Sequence, residues 1–508
     1  MKRSRALLSI LWISVCAGCG DDERLTEVAP LPPLSEAPLT TERTLVPVHA
    51  FEEADLDKNV QVPEAMNAFL EQGYGETKFG PGEPVLKLTL DGAKPPADGK
   101  TPKLLTRFVH LADIQLADDE SPARFAALDF PLFSSPYRPQ EGHECHILNA
   151  AVRTINRVHE DTPVEFVILG GDNVDSAQQN EHEWLLKLLS GAARVECDSG
   201  NNDDPVPGPG NDPKDALSPE GLAMPWLWVT GNHDVLVQGI TPIAELSDRA
   251  VGDEAPFGAR DWSKPGGPIT RDVVVPDKQR LPLTVKQILE GIASDGDGHG
   301  IDDSVIARDK ANFVYDLPNA PIRMLVIDSA TALGGAEGVI TQADVSNFIR
   351  PAIEQAKLDK KWVILASHHS SNTLADGTLG GKVQPGALSE DEWRSFLGSY
   401  DNVLAHLTGH SHIHRVHVRQ GTGAGPYFEL ITAALADYPN QMRLIEVWDT
   451  DNGYVMLRAI NLDYSTEGDP IAEDGRKRSV VDLTSGWIED ASGAADDRNV
   501  ELYVKSAF

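Results

Sequence analysis

Phe166-Val167-Ile168-Leu169 is a continuously apolar run rich in β-formers, and it stops at Gly170-Gly171-Asp172. It reads as a buried strand. The two glycines let the chain turn sharply and leave space beside the backbone. Asp172 then falls at the carboxyl end of a central strand, where open α/β sheets place their ligands. A solvated loop aspartate would explain this stretch taken alone. Four further strand ends carry polar donors in the same way: Asp113 with Gln115, Asn232 with His233, His368, and His410 with His412. Most stand behind a glycine, and each follows an apolar run, an arrangement that separate accidents do not readily produce.

Carboxylate, imidazole and amide oxygen together suit a pair of divalent transition ions. In an extended segment, residues two apart point the same way. Asp113 and Gln115 are therefore expected to share one ion, with Ile114 turned into the core. His410 and His412 are expected to project together, with Ser411 opposite. His368 and His369 compete for one role, because a straight strand would send them to opposite sides.

Strand, helix and strand alternate through most of 104–410, which argues an α/β sheet with sites at the strand ends. Helices are expected over 60–73, 145–160 and 181–193. Another is expected over 341–357, broken near Pro351. Residues 84–90 are expected as a strand. Residues 198–215 are a Gly/Pro/Asn/Asp loop, and 235–311 form a long insertion expected to shape the cleft. Within it, Ser294-Asp295-Gly296-Asp297-Gly298-His299-Gly300 has alternating acids like a calcium loop. The distal Glu of such a loop is missing, so a glycine-rich turn is favoured over a minor calcium site at Asp295 and Asp297. His299 could still reach the substrate cleft. Residues 465–508 are polar and expected to pack on the outside as a tail.

The 508 residues suffice for one large elaborated domain, and 41% hydrophobic residues exclude wholesale disorder. Lys plus Arg number 44 against 78 Asp plus Glu, a balance of −34. Such a surface repels nucleic acid and anionic membranes, so no nucleic-acid partner is expected. An anionic small substrate would need local positive charge, which bound metal ions supply. Lys2, Arg3 and Arg5 precede a short apolar run, then Ala17-Gly18-Cys19. This start resembles a bacterial lipoprotein signal with cleavage before Cys19, although Cys16 stands where Leu is usual. It implies a cell-envelope lipoprotein that meets the membrane only through a lipid on Cys19. Cys145 and Cys197 are the two cysteines beyond this start; in an oxidising compartment they pair or remain separate buried thiols.

Asp113-Ile114-Gln115, Gly171-Asp172-Asn173-Val174-Asp175, Gly231-Asn232-His233-Asp234, His368 and Gly409-His410-Ser411-His412 together resemble the calcineurin-like metallophosphoesterases. The resemblance implies a four-layer αββα sandwich with a two-metal centre. It assigns Asp113, Gln115, Asp172 and His412 to the first metal and Asp172, Asn232, His368 and His410 to the second. Asp172 would bridge Mn, Fe or Zn ions, and His368 would be the ligand of its pair. The family usually has His where this chain has Gln115. Purple acid phosphatases of the same superfamily have Tyr where this chain has Asp175, so no coloured ferric-phenolate site is expected.

Two ions about 3.5–4 Å apart clamp a phosphate and activate a bridging hydroxide for in-line attack. His233 would stabilise the phosphoryl oxygens or protonate the leaving alkoxide, with Asp234 orienting it. Asn173 and Asp175 would support the ligands from behind, and His406 and His414 would be structural or solvent-facing. The expected organisation is a signal peptide at 1–18, a tether and extension at 19–103, the metallophosphoesterase domain at 104–464 and a C-terminal extension at 465–508. The expected activity is hydrolysis of a small phosphomonoester or phosphodiester. The rival is a non-catalytic lipoprotein that keeps the sandwich as a binding scaffold. A third reading, a calcium-stabilised adhesion protein, rests on Asp295 to Gly300 and the acidic charge.

Overall fold

The computed structural model describes residues 28–49, 60–97, 99–129, 136–482 and 492–508. The signal sequence and Cys19 lie outside them. Thirteen strands build two large sheets. In chain order they are Leu86–Thr89 (β1), Lys103–Leu111 (β2), Phe166–Leu169 (β3), Trp226–Leu227 (β4), Phe313–Asp316 (β5), Ile322–Val326 (β6), Trp362–Ala366 (β7), Val403–Thr408 (β8), Arg415–Gln420 (β9), Pro426–Ile431 (β10), Gln441–Asp449 (β11), Tyr454–Asp463 (β12) and Val500–Lys505 (β13). The seven-stranded sheet has the order β1-β13-β12-β11-β2-β3-β4, and the six-stranded sheet β5-β6-β7-β8-β10-β9.

Within the first sheet, β2, β3 and β4 run parallel, with Phe108 opposite Phe166 and Val167 opposite Trp226. Within the second, β6, β7, β8 and β10 run parallel. Parallel neighbours put their carboxyl ends at one edge, and all five predicted ligand clusters follow such ends.

The layering follows from alternation along the strands. Ile322, Met324, Val326, Ile364 and Ala366 of the six-stranded sheet pack into one core with Val109, Leu111, Val167 and Leu169 of the seven-stranded sheet. The intervening Leu325, Val363, Leu365 and Val403 face the other way, against Ile349, Ile353 and Trp393. Those partners belong to the segment 345–358 and to the helix Glu390–Leu397. Each fully buried aliphatic side chain contributes roughly 1.5–3 kcal/mol, so both faces of the sheet are well supported. On the other side, Glu144–Asp161 and Gln179–Ser190 bury Ile147, Ala151, Ile155, Leu185 and Leu188 in the core that also contains the seven-stranded sheet. Helices outside two facing sheets give the αββα order.

The break expected near Pro351 is a π segment, Val345–Ile349, just before the helix Arg350–Leu358. Proline at the first turn needs no N–H, so the irregular hydrogen bonding falls before it. The described residues of 465–508 are not an outer tail. Pro470–Asp482 is a helix that buries Ile471, Ala472 and Val480, and β13 lies inside the seven-stranded sheet between β12 and β1. Cys145 and Cys197 form a disulfide with Cα atoms 6.5 Å apart. Among the described residues, no helix is long and apolar enough to cross a membrane.

Candidate metal centre

Asp113, Asp172 and Asn232 leave the seven-stranded sheet, while His368, His410 and His412 leave the six-stranded one. Backbone bonds lock these exits together: Asp113 N–H donates to Gly171 O (3.0 Å), Gln115 N–H to Asp172 O (2.8 Å) and Gly409 N–H to His368 O (2.9 Å). Gly171 has φ +88°, and a Cβ there would come within 2.6 Å of His368 Nδ1. Glycine is thus required for the two sheets' ligands to approach.

The expected extended geometry is not found. Asp113 (φ 52°), Gln115 (46°), Asp172 (52°), His410 (67°) and His412 (58°) are all left-handed. Side chains two apart converge through alternating left-handed residues, not through a strand repeat. Such conformations cost of order 1 kcal/mol or more each and persist where surrounding contacts hold them.

The donors meet deep inside. Asp113, Asp172 and His368 bring ligand atoms within 4.8 Å of one another, as do His368, His369 and His410. His368 Nε2 lies 2.9 Å from Asp172 Oδ2 and 3.9 Å from Asp113 Oδ1, and His412 Nε2 lies 3.2 Å from Asp113 Oδ1. Gln115 Nε2 is 3.5 Å from Asp172 Oδ2. Gln115 Oε1 and Asn232 Oδ1 are buried without a hydrogen-bond partner, and His368 Nε2 faces the two carboxylates. Two unpartnered carbonyl oxygens and an imidazole nitrogen beside two buried carboxylates are the donor set a divalent cation takes.

The tautomers agree. His368 Nδ1 faces Gly170 O at 2.9 Å, which leaves Nε2 towards the carboxylates. His412 Nδ1 faces Asp437 Oδ2 at 2.5 Å. Asn232 donates its amide N–H to Gly239 O (3.0 Å), which frees its oxygen. Gly239 belongs to the 235–311 insertion, whose first residues therefore touch the site. Burial opposes protonation of His368, but Asp172 and Asp113 outweigh it and lift the imidazole to about 9. Burial likewise opposes protonation of His412, and Asp113 and Asp437 lift it to about 9. The carboxylates that favour a proton on each imidazole would equally favour a bound cation, which would displace those protons.

A family model for calcineurin-like phosphoesterase matches residues 106–414, more than half of the chain. The chain belongs to this family. A comparison with curated proteins finds no match. Among solved structures, purple acid phosphatase PPD1 from seeds of yellow lupin (Lupinus luteus) is similar at 11% identity and a TM-score of 0.29, with 76% of this chain and 54% of that one covered. This chain thus spans about half the length of the lupin protein. GAP50, the anchor in the inner membrane complex of Plasmodium, is similar at 12% identity and a TM-score of 0.29, with 70% and 84% covered.

In this calcineurin-like phosphoesterase, Asp234 does not orient His233. Its carboxylate accepts from Gly231 N (2.7 Å), Asn173 N (2.9 Å) and Val174 N (3.2 Å), stapling two ligand loops together. Asp175 takes the orienting role: His233 Nδ1 lies 2.9 Å from its carbonyl oxygen and 3.3 Å from Oδ1. Asp175 in turn is paired with Arg124. Burial works against protonation of His233, and Asp172 and Asp175 raise its pKa overall.

His369 turns aside. Its Nδ1 faces Ser329 Oγ (2.9 Å) and its Nε2 faces Ala336 O (3.1 Å), so neither nitrogen is available. His406 bridges Ser367 Oγ (2.8 Å) and Glu429 (3.2 Å), and His414 is bound by Gln441, Ala433 N and Arg443; both are structural. The 294–300 turn carries no calcium constellation: Asp295 and Asp297 both address His299, at 3.0 and 3.2 Å. His299 stacks on Trp226 at 3.3 Å, and its ring nitrogens face Trp226 O and Asp295 rather than the predicted ligands.

Asp437 and Arg138 were not anticipated. Asp437 follows the apolar stretch 433–436, on the crossover from β10 to β11, and the Ala436 N–H donates to Asp113 O (3.1 Å). Its signal was the same as that of Asp172, an aspartate behind an apolar run, but no glycine marked it.

Proposed function

We propose that this chain is a metal-dependent phosphoesterase that hydrolyses a small phosphomonoester or phosphodiester. The observation that carries the reading is the convergence of strand-end donors from both sheets on Asp113 and Asp172, with the oxygens of Gln115 and Asn232 buried and unpartnered. Asp113, Gln115, Asp172 and His412 would hold one ion, and Asp172, Asn232, His368 and His410 the other. Two such ions, when bound, would supply charge to clamp a phosphate and to activate the attacking water. His233 supplies the proton side of the reaction. Its Nδ1 is tied to Asp175 and its Nε2 lies 3.9 Å from Asp172 Oδ2, which supports Nε2 as the donor to a leaving alkoxide. Asp234, the staple, keeps the Asp172 and Asn232 loops in register.

The test uses the purified chain supplied with Mn²⁺, Zn²⁺ or Fe and aryl phosphate mono- and diesters. Turnover that Asp172→Asn abolishes supports the proposal. No turnover on either ester class, with Asp172→Asn behaving identically, overturns it. Gln115, neutral where the family has imidazole, favours the rival of a non-catalytic binding lipoprotein. Fewer than one bound ion per chain after reconstitution would support that rival.

We place the protein in the cell envelope, anchored through Cys19. The basic and apolar start before Cys19 supports this, as does the Cys145–Cys197 disulfide, since disulfides persist in oxidising compartments.

A further inference from the structure

The two ligand sets differ in donor chemistry because of one residue. Asp172, Asn232, His368 and His410 offer two oxygens and two imidazole nitrogens. Asp113, Gln115, Asp172 and His412 offer three oxygens and one nitrogen. We propose that Gln115 makes the first site an oxygen-rich, exchangeable site that discriminates less for Zn²⁺ over Mn²⁺ than the second site does. The inference rests on the two-metal reading above and deepens it.

Gln115 is built into the centre. It is 1% exposed, and its backbone N–H donates to Asp172 O at 2.8 Å. Its left-handed backbone, φ 46°, is one that a side chain of this size rarely adopts. The amide reaches Asp172 Oδ2, with Nε2 at 3.5 Å, while Oε1 has no hydrogen-bond partner. An unsatisfied buried carbonyl is destabilising, and a bound cation would satisfy it. Gln115 therefore acts as a neutral oxygen donor beside the shared carboxylate.

Neither His369 nor His233, the other two histidines of the ligand loops, makes up the missing nitrogen. His369 packs 4.4 Å from the His410 ring, but Ser329 and Ala336 engage both of its nitrogens. His233 Nδ1 is held by Asp175, and its Nε2, 3.9 Å from Asp172 Oδ2, is the proton donor in the reading above. The first site is left with His412 as its one nitrogen donor. Imidazole favours Zn²⁺ and Fe, whereas carboxylate and carbonyl oxygens suit Mn²⁺ and Mg²⁺. Divalent affinities still rise from Mn²⁺ to Zn²⁺ at any site, so the contrast is in the Zn²⁺-to-Mn²⁺ ratio, not in its sign.

The experiment strips the full chain with a chelator, titrates Mn²⁺ and Zn²⁺ separately by calorimetry, and counts retained ions by elemental analysis after gel filtration. The expected result is one tightly retained ion and one lost, with a Zn²⁺-to-Mn²⁺ affinity ratio at least tenfold lower for the weak event. Gln115→His is expected to tighten the second Zn²⁺ at least tenfold and to retain two ions. Gln115→Glu keeps an oxygen donor and adds charge, so it is expected to tighten Mn²⁺ and Zn²⁺ alike without raising their ratio. Two Zn²⁺ ions of equal affinity in the wild-type chain, or a ratio rising equally in both variants, overturns the proposal and leaves the two-metal reading standing. No bound ion in the wild-type chain overturns the two-metal reading and this inference with it.

Discussion

His412 Nδ1 and Asp437 Oδ2 face each other across 2.5 Å, one nitrogen behind the predicted metal ligand. The same carboxylate accepts from Arg138 Nε at 2.9 Å and Gln140 Nε2 at 3.1 Å. Burial pushes Asp437 up, but Arg138 and His412 outweigh it and hold the carboxylate below its ordinary range. Asp437 thus fixes which His412 nitrogen points at Asp113. Asp437→Asn keeps the shape but offers an N–H where a carboxylate stood. Partners of this kind typically account for 10–100-fold in metal affinity or activity. We expect a loss of that size in metal affinity, by calorimetry, with the melting temperature changed by only a few degrees.

His233 and Asp234 separate by what they break. His233→Ala removes the proton donor without touching a ligand, so kcat should fall about 10²–10⁴-fold with metal content unchanged. The fall should be larger for alkyl esters than for aryl esters, whose leaving groups need less protonation. Asp175→Asn should fall between wild type and His233→Ala, because it loosens the histidine without deleting it. Asp234→Ala should instead lower the melting temperature, since three buried backbone N–H groups lose their acceptor. A leaving-group series and thermal melts on the variants check the split.

The legible part of the site was the part with punctuation. Asp172, Asn232 and His410 stand directly behind glycine after apolar runs, Asp113 directly follows an apolar run, and Gln115, His368 and His412 lie within a few residues of one. These locate the ligands in sequence without reference to tertiary contacts. Arg138 reaches Asp437 across 299 residues of chain, and Asp437, though it follows an apolar run, has no glycine before it to mark it. The exchange of Asp175 for Asp234 has the same origin: both follow ligand loops, and only packing decides which reaches His233. The left-handed backbone at five ligands was hidden because strand propensity describes the approach to a site, not the turn that forms it. At the fold level, β13 was missed because its local signal is a short run at the end of a polar segment. Its place in the sheet comes from pairing with β12 and β1.

Glu429 gives a pH dependence independent of metal. It is buried in β10 and accepts from Ser371 N (2.9 Å), Ser371 Oγ (3.0 Å) and Arg419 Nε (2.6 Å). Burial pushes the carboxyl up, but His406 and Arg419 outweigh it and hold it at about 2 against an ordinary 4.5. A depressed folded-state pKa contributes stability above the unfolded value, and that stability is lost as pH falls from 4.5 towards 2. The shift corresponds to roughly 3 kcal/mol at neutral pH. Glu429→Gln should therefore melt well below wild type at pH about 6, and the gap should narrow as pH falls through this window. A constant gap between pH about 6 and 3 would remove Glu429 as the titrating group.

The Cys145–Cys197 bridge closes a segment with 52 residues of separation and ties the 198–215 loop to the helix that starts at Glu144. From that loop Lys214 reaches Asp119 Oδ1 (2.9 Å) and Glu120 Oε2 (2.8 Å), just beyond the Asp113–Gln115 ligands. Glu144 Oε2, next to Cys145, accepts from Ala117 N at 3.0 Å on the same turn. Cutting the bridge enlarges the unfolded ensemble and is expected to cost about 2–4 kcal/mol. Cys145→Ser with Cys197→Ser should lose about that much unfolding free energy and melt lower, and a reducing agent should shift wild type but not the variant. If Lys214 anchors the turn behind Gln115, Lys214→Met should weaken the more exchangeable metal before the tighter one. Metal retention measured on both variants tests whether the disulfide's support extends to the first site: equal loss of both ions would show only general destabilisation.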